Sequence, residues 1–183
     1  GFLGRAVMTR CAALGAQVRG LDVQADADRG VVAGDITDPA GWAEHLAGCD
    51  IVVHTAAVVT NNVDPALAWS VNVIGTRRVV DAAAAAGVAR VMYVSTMGAA
   101  RFAQIEKEAV ERYFPGEPFD ERWPLMPVGN PYTDTKIAAE HYVLATHAAG
   151  RVGCTVIRPA DIYGPGCRPW VLEPLNAIRN GKF

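Results

Sequence analysis

Short runs of β-branched and apolar residues alternate along this chain with longer stretches of helical spacing, a pattern that predicts a parallel sheet with covered faces. Five strands are expected, at Val18 to Leu21, Val31 to Ala33, Ile51 to Val53, Val91 to Val94 and Thr155 to Ile157. Between them the spacing predicts a helix from Ala6 to Leu14 closed by Gly15. Two more begin at the cap-then-proline pairs Asp38-Pro39 and Asp64-Pro65, the second running to Ala86 before Gly87. Asn130 and Pro131 open a long helix ending at Gly150, and Leu172 to Phe183 reads as a last one. The fold class is therefore α/β, a doubly wound parallel sheet of the Rossmann-like kind. Asp22, Asp35, His54, Thr96 and Arg158 each follow the carboxyl end of an expected strand, the edge where open α/β sheets bind ligands.

Composition narrows the classes. The 183 residues are 51% hydrophobic, enough for a sizeable core, and no apolar run is long enough to span a membrane. Lys and Arg total 17 against 19 Asp and Glu, a formal charge of -2 without a basic cluster, which argues against nucleic acid or an anionic membrane as partner. Cys11, Cys49, Cys154 and Cys167 lack C-x-x-C spacing and His45, His54, His141 and His147 lack ligand spacing, so no metal is expected and a reducing, cytoplasmic setting is. The serines, Ser70 and Ser95, do not sit in G-x-S-x-G, which leaves a serine hydrolase unsupported.

The chemistry centres on Pro131-Tyr132-Thr133-Asp134-Thr135-Lys136, where a phenol and an ammonium lie one helical turn apart on one face. A phenol acting as a base near neutrality must drop about 3 pH units, and a cation at i+4, the positive helix start and a bound nicotinamide are the agents that could lower it. The alternative is a surface helix in which Lys136 pairs with Glu140. Upstream, Gly1-Phe2-Leu3-Gly4 matches the last two glycines of a G-x-x-G-x-x-G loop, whose backbone approaches a pyrophosphate at a helix start. Asp22 stands where an acidic side chain grips the adenosine ribose and repels a 2′-phosphate, favouring NAD; Arg19 and Arg29 are the residues an NADP reading would call on.

With these motifs the chain resembles the extended short-chain dehydrogenases/reductases, the NAD-dependent epimerase/dehydratase family, in its 3β-hydroxysteroid dehydrogenase-like branch. The resemblance implies that Gly1, Phe2, Leu3 and Gly4 belong to the cofactor loop and that Asp35 and Ile36 meet the adenine. It further implies that His54, Thr55, Ala56 and Ala57 lie along the cofactor, and that Arg158, Pro159 and Ala160 pass the nicotinamide. Thr96, Tyr132 and Lys136 become the catalytic group, with Lys136 also bonding the nicotinamide ribose. Asn72 becomes the family's helix asparagine, although a purely local backbone role is an equal reading. Thr96 has a structural alternative too, as a cap on its strand.

The resemblance also implies that a first strand and first glycine precede Gly1 and that a substrate domain follows Phe183. Residues 1–163 are then a dinucleotide-binding domain and 164–183 the start of the substrate-binding part. Without its first strand, the second and fourth family strands are expected to face a gap. Residues 101–129, containing a charged helical piece at 104–114, read either as an active-site flap or as a surface insertion. Met97 and Gly98 follow Thr96 where the family's sugar dehydratases carry an acidic pair, and the stretch to Arg101 departs from its sugar epimerases. The expected activity is hydride transfer between a nicotinamide cofactor and a secondary alcohol or ketone on a relatively apolar small molecule. A 4-epimerase acting on a nucleotide sugar with retained NAD and a non-catalytic dinucleotide sensor are the alternatives, and a homodimer stays open.

Overall fold

A computed structural model describes residues 1–60, 62–100, 112, 116, 121 and 124–182. The expected flap, including the helical piece at 104–114 and Trp123, lies largely outside the described residues, as does Phe183. Five strands are present where the apolar runs predict them: β1 (Gly20–Asp22), β2 (Val31–Ala33), β3 (Ile51–His54), β4 (Arg90–Val94) and β5 (Gly153–Ile157). All pair in parallel, but in two groups. β1 pairs with β2, and β3, β4 and β5 form a separate three-stranded sheet in that order.

Helix α1 spans Phe2–Ala13, and Gly15 closes it with φ of 86°, a conformation that costs glycine little. The stretch after Asp64 opens as expected with a capping aspartate and Pro65. It is not one regular helix: α2 (Pro65–Ala68) passes through a π-helical segment, Trp69–Gly75, into α3 (Thr76–Ala85). The Asp38-Pro39 signal yields only two short 3-10 turns, Pro39–Gly41 and Ala43–Leu46. Trp42 sits between them with φ of −148°, outside the helical range, and its indole donates to the Asp35 carbonyl at 2.6 Å. Helix α4 (Pro131–Ala148) starts with Asn130 accepting from the Thr133 amide and ends before Gly150 at φ of 70°. The tail forms a π-helical turn, Arg168–Leu172, and then α5 (Glu173–Arg179), shorter than the spacing predicts.

The core lies between β3–β5 and the pair α3 and α4. Val80, Ala83, Val91, Tyr93, Ala139 and Val143 are all fully enclosed there. A smaller cluster of Ile36, Trp42 and Val79 ties the β2 end to α3. Glycine permits that junction, because a Cβ on Gly75 would lie 2.7 Å from the Ile36 side chain. α4 is consequently no surface helix. Thr135, Lys136, Ile137, Ala139, Glu140, Val143 and Thr146 are buried on its inner face, which removes the reading in which Lys136 and Glu140 form an exposed pair. Among the described residues no helix is long and apolar enough to cross a membrane.

Candidate active site

The parallel sheet delivers its strand ends to one edge, and α4 begins there. β4 and β5 stay zipped past their formal ends: the Ser95 amide donates to the Ile157 carbonyl at 2.7 Å and the Met97 amide to the Pro159 carbonyl at 2.9 Å. Thr96 is thus held beside the Arg158-Pro159 segment. Its hydroxyl accepts from the Gly98 amide at 3.1 Å and lies near enough to the Tyr132 phenol to work against a rise in its pKa. With a backbone amide occupying one lone pair, the Thr96 O–H is free to be directed at the phenol or at an oxygen beside it.

Tyr132 lies in the first turn of α4, and Asp134 locks that turn by accepting from the Val128 and Gly129 amides at 2.7 and 3.0 Å. Burial pushes the phenol above its ordinary range, and the Thr96 hydroxyl opposes the rise. The expected lowering by Lys136 is therefore not what this arrangement supplies. Lys136 is 3% exposed, and burial pulls its ammonium down to about 7 while Glu140 acts in the opposite direction. A lysine neutral above that pH cannot stabilise a phenolate forming higher still. The amine donates to the Val94 carbonyl at 2.7 Å and lies 4.1 Å from the centre of the Tyr93 ring.

Asn72 is fully buried. Its side chain accepts from the Val58 amide at 2.8 Å and donates to the Val58 carbonyl at 3.2 Å and to the Thr135 hydroxyl at 3.0 Å. Thr135 in turn donates to the Pro131 and Tyr132 carbonyls at 2.6 and 2.9 Å. One asparagine thereby fastens the loop after β3 to the turn that carries the phenol. Its partners are distant in sequence, so neither it nor Thr135 could be placed by the local-backbone reading.

The cofactor-side residues converge on the start of α1. The Gly1 nitrogen lies 2.8 Å from an Asp22 carboxylate oxygen, which sets the strand-end acid against the start of α1. A Cβ on Gly4 would sit 3.1 Å from the Thr55 hydroxyl, and one on Gly164 would sit 3.4 Å from the Phe2 ring. Gly1, Phe2, Leu3 and Gly4 therefore open α1 between the ends of β1 and β3. Asp35 turns back on Thr37, accepting from its amide and hydroxyl at 2.8 Å each, and these bonds lower its pKa.

Three side chains point elsewhere than the expected groove. Ile36 is packed against Gly75 in the core. His54 is buried, shares a 2.8 Å hydrogen bond with Thr76 and tilts against Tyr93, and burial drives its pKa down to about 3. Arg158 donates twice to one Glu140 oxygen, at 2.9 and 2.6 Å, and once to the Glu121 carbonyl. Ala56 and Ala57 continue the irregular chain after β3, and Pro159 and Ala160 that after β5. Sequence reasoning gave no role to Thr135 and Asp134, and placed Glu140 only as a surface partner of Lys136 one turn away, where the structure has it buried and paired with Arg158. The four cysteines are free thiols, and among the described residues no His, Cys, Asp and Glu group could hold a metal.

A parallel α/β sheet with a glycine-started helix beside an acidic strand end is the architecture of the nicotinamide-dependent short-chain dehydrogenases/reductases. The chain belongs to the NAD dependent epimerase/dehydratase family, whose model matches residues 1–173. A ketoreductase of 4-hydroxy-2-methyl-3-oxo-4-farnesyl-3,4-dihydroquinoline-1-oxide from Stigmatella aurantiaca is 32% identical over 100% of this chain and 54% of its own length. The 3β-hydroxysteroid dehydrogenase/Δ5→4-isomerase of Mycobacterium tuberculosis is 30% identical over 99% of this chain and 50% of its own. Among solved structures, the Thermus thermophilus UDP-glucose 4-epimerase complex with NAD superposes with a TM-score of 0.79 at 26% identity, covering 97% of this chain and 58% of that one. The chain spans about half the length of the curated relatives it matches. NAD is the cofactor of this family, and the close approach of Gly4 to Thr55 beside Asp22 fits it.

Proposed function

We propose that the protein transfers hydride between NAD and a secondary alcohol or ketone on a relatively apolar substrate, of the 3β-hydroxysteroid type or a related ketone. The observation that carries this reading is the neighbourhood of the Thr96 hydroxyl and the Tyr132 phenol at the carboxyl edge of the sheet, close enough that the hydroxyl works to lower the phenol's pKa, with Lys136 one turn along the same helix. NAD, when bound, supplies the hydride acceptor. The residues of the chain do the rest. Tyr132 takes the proton of the substrate hydroxyl as the base, and in the reductive direction returns it to the carbonyl oxygen. Thr96 holds that oxygen, its own orientation fixed by the Gly98 amide. Lys136 supplies positive charge beside the phenol. Gly1 to Gly4 and Asp22 bind and orient the dinucleotide through the helix start and the ribose. Residues 1–163 act as the dinucleotide-binding part and 164–183 open the substrate-binding part.

The apolar substrate class is supported by the curated relatives named above and by Met97, Gly98, Ala99 and Ala100, which follow Thr96 without an acid for dehydration. A second reading, 4-epimerisation of a nucleotide sugar, uses the same three residues and draws on the likeness to the Thermus epimerase. Incubating the whole protein with NAD and, separately, a 3β-hydroxysterol and UDP-sugars distinguishes them. NADH accumulating with the sterol, or with another hydrophobic secondary alcohol, is the expected result. Sugar epimerisation without net NADH would replace it by the second reading.

A further inference from the structure

Lys136 is asked to carry a charge in a place that resists one, and its surroundings hold one source of compensation. On α4, Tyr132 and Glu140 lie one turn to either side of Lys136; the amine itself meets the Tyr93 ring and the Val94 carbonyl from β4, and its charge is felt by His54 from β3, which is neutral at physiological pH because burial lowers it. The Arg158 guanidinium from the end of β5 reaches Glu140. Glu140 stands one turn beyond Lys136 on α4, fully buried, and its negative charge acts to raise the Lys136 pKa without an ion-pair contact between the two. Arg158 bonds only one of its oxygens; the other, Oε2, is buried with no hydrogen-bond partner. A buried carboxylate oxygen without a partner is costly, and breaking such a pair is usually worse than never having it. A carboxylate used only to neutralise Arg158 could spend both oxygens on the guanidinium fork. This one does not. Ser95 adds a second orphan under the same helix, its hydroxyl buried without a partner two residues after Tyr93 and so on the same sheet face.

We propose that Glu140, clamped by Arg158, is a positioning residue that keeps Lys136 in its ammonium form beside Tyr132, leaving one oxygen unbonded so that its negative charge is not fully spent on the arginine. The inference rests on the catalytic reading of Tyr132 and Lys136 above. The buried Tyr132 and Lys136 share a proton between two arrangements, phenol with amine and phenolate with ammonium. Glu140 lies one turn from Lys136 and two from Tyr132, so its field favours the ammonium more than it opposes the phenolate. Catalysis needs the second arrangement.

The test is direct titration of the lysine in the whole protein, labelled with 13C at the lysine side chain, with the Lys136 signal assigned by its loss in Lys136→Arg. In Glu140→Gln the Lys136 midpoint is expected to fall by about one pH unit, a tenfold change in acidity. In Glu140→Asp, which keeps the charge, it should stay nearer the wild type than the glutamine variant does. A folded Glu140→Gln whose Lys136 midpoint is unmoved overturns the proposal. Should Glu140→Gln not fold, Lys136→Met leaves the Glu140–Arg158 pair intact, and reciprocity of the coupling requires the Glu140 carboxylate to titrate higher there than in wild type. An unmoved Glu140 overturns the proposal equally. These shifts do not depend on turnover, so a protein that oxidises no alcohol refutes the catalytic reading while the titration still judges Glu140. Where turnover is present, the high-pH limb of its profile in Glu140→Gln moves down with the lysine.

Discussion

The Lys136 amine donates to the Val94 carbonyl at 2.7 Å, an inward bond from a side chain the chemistry wants charged. Between pH about 7 and its ordinary 10.5, the folded state holds fewer protons on Lys136 than the unfolded chain does. Stability therefore rises with pH through that window, and below pH 7 the full penalty of burying the charge applies. Lys136→Met is expected to be more stable than wild type at pH 7 by roughly 2 kcal/mol or more, and to lose turnover. Denaturant unfolding at two pH values checks it; a variant less stable at pH 7 contradicts the account.

Tyr132→Phe removes the proton-carrying oxygen without disturbing the Asp134 lock. Turnover should fall by about 100-fold or more with NAD affinity unchanged, as read by steady-state kinetics and calorimetry. Thr96→Val should also lose turnover, whereas Thr96→Ser should keep most of it.

At Asp22 the carboxylate stands against the glycine end of α1. Asp22→Ala should weaken NAD binding by about 10-fold and narrow the preference over NADP, because both the ribose acceptor and the repulsion of a 2′-phosphate go together. Equal loss for both cofactors would show that the residue serves only the loop.

His54 works in the same direction as Lys136, in a lower window. Its folded pKa is about 3 against 6.5 in the open chain, so its contribution is present above pH 6.5 and is lost as pH falls. At pH 5 the loss should be about 2 kcal/mol. His54→Gln, which can still bond Thr76, should unfold with a shallower acid dependence in denaturant titrations; an unchanged slope rejects the buried neutral imidazole.

Asn72→Ala strips partners from the Val58 amide and carbonyl and from Thr135 at once. A loss of about 1 to 3 kcal/mol is expected in thermal or denaturant unfolding. Turnover should suffer beyond the stability loss, because the turn bearing Tyr132 is no longer tied to the loop after β3.

Much of the fold was legible because strands announce themselves by short apolar runs, and all five fell within two residues of their expected starts and ends. Helix signals were less complete. Asp38-Pro39 is a sound start signal, but Trp42 leaves the helical range and its indole bonds back to Asp35, and no local pattern encodes that. The same limit applies to the site. Spacing placed Tyr132 and Lys136 on one face, yet it could not say that the face is buried, and burial takes away much of the charge by which Lys136 was to lower its neighbour. His54, Ile36 and Arg158 stand at the right strand ends, but where a side chain turns at a strand end depends on the layer packed above it. Thr76, Gly75 and Glu140 supply those layers from 18 to 39 residues away.

The amide bonds that carry β4 and β5 together past their ends make Thr96 and the Arg158–Ala160 segment one rigid jaw, while Tyr132 rides on a helix fastened separately through Asn72. Accommodating a bulkier molecule by widening the distance between hydroxyl and phenol would have to break main-chain pairing or the asparagine clasp. On the proposed reading, a change of substrate range falls to the surrounding loops, with Thr96 and Tyr132 left as a fixed gauge.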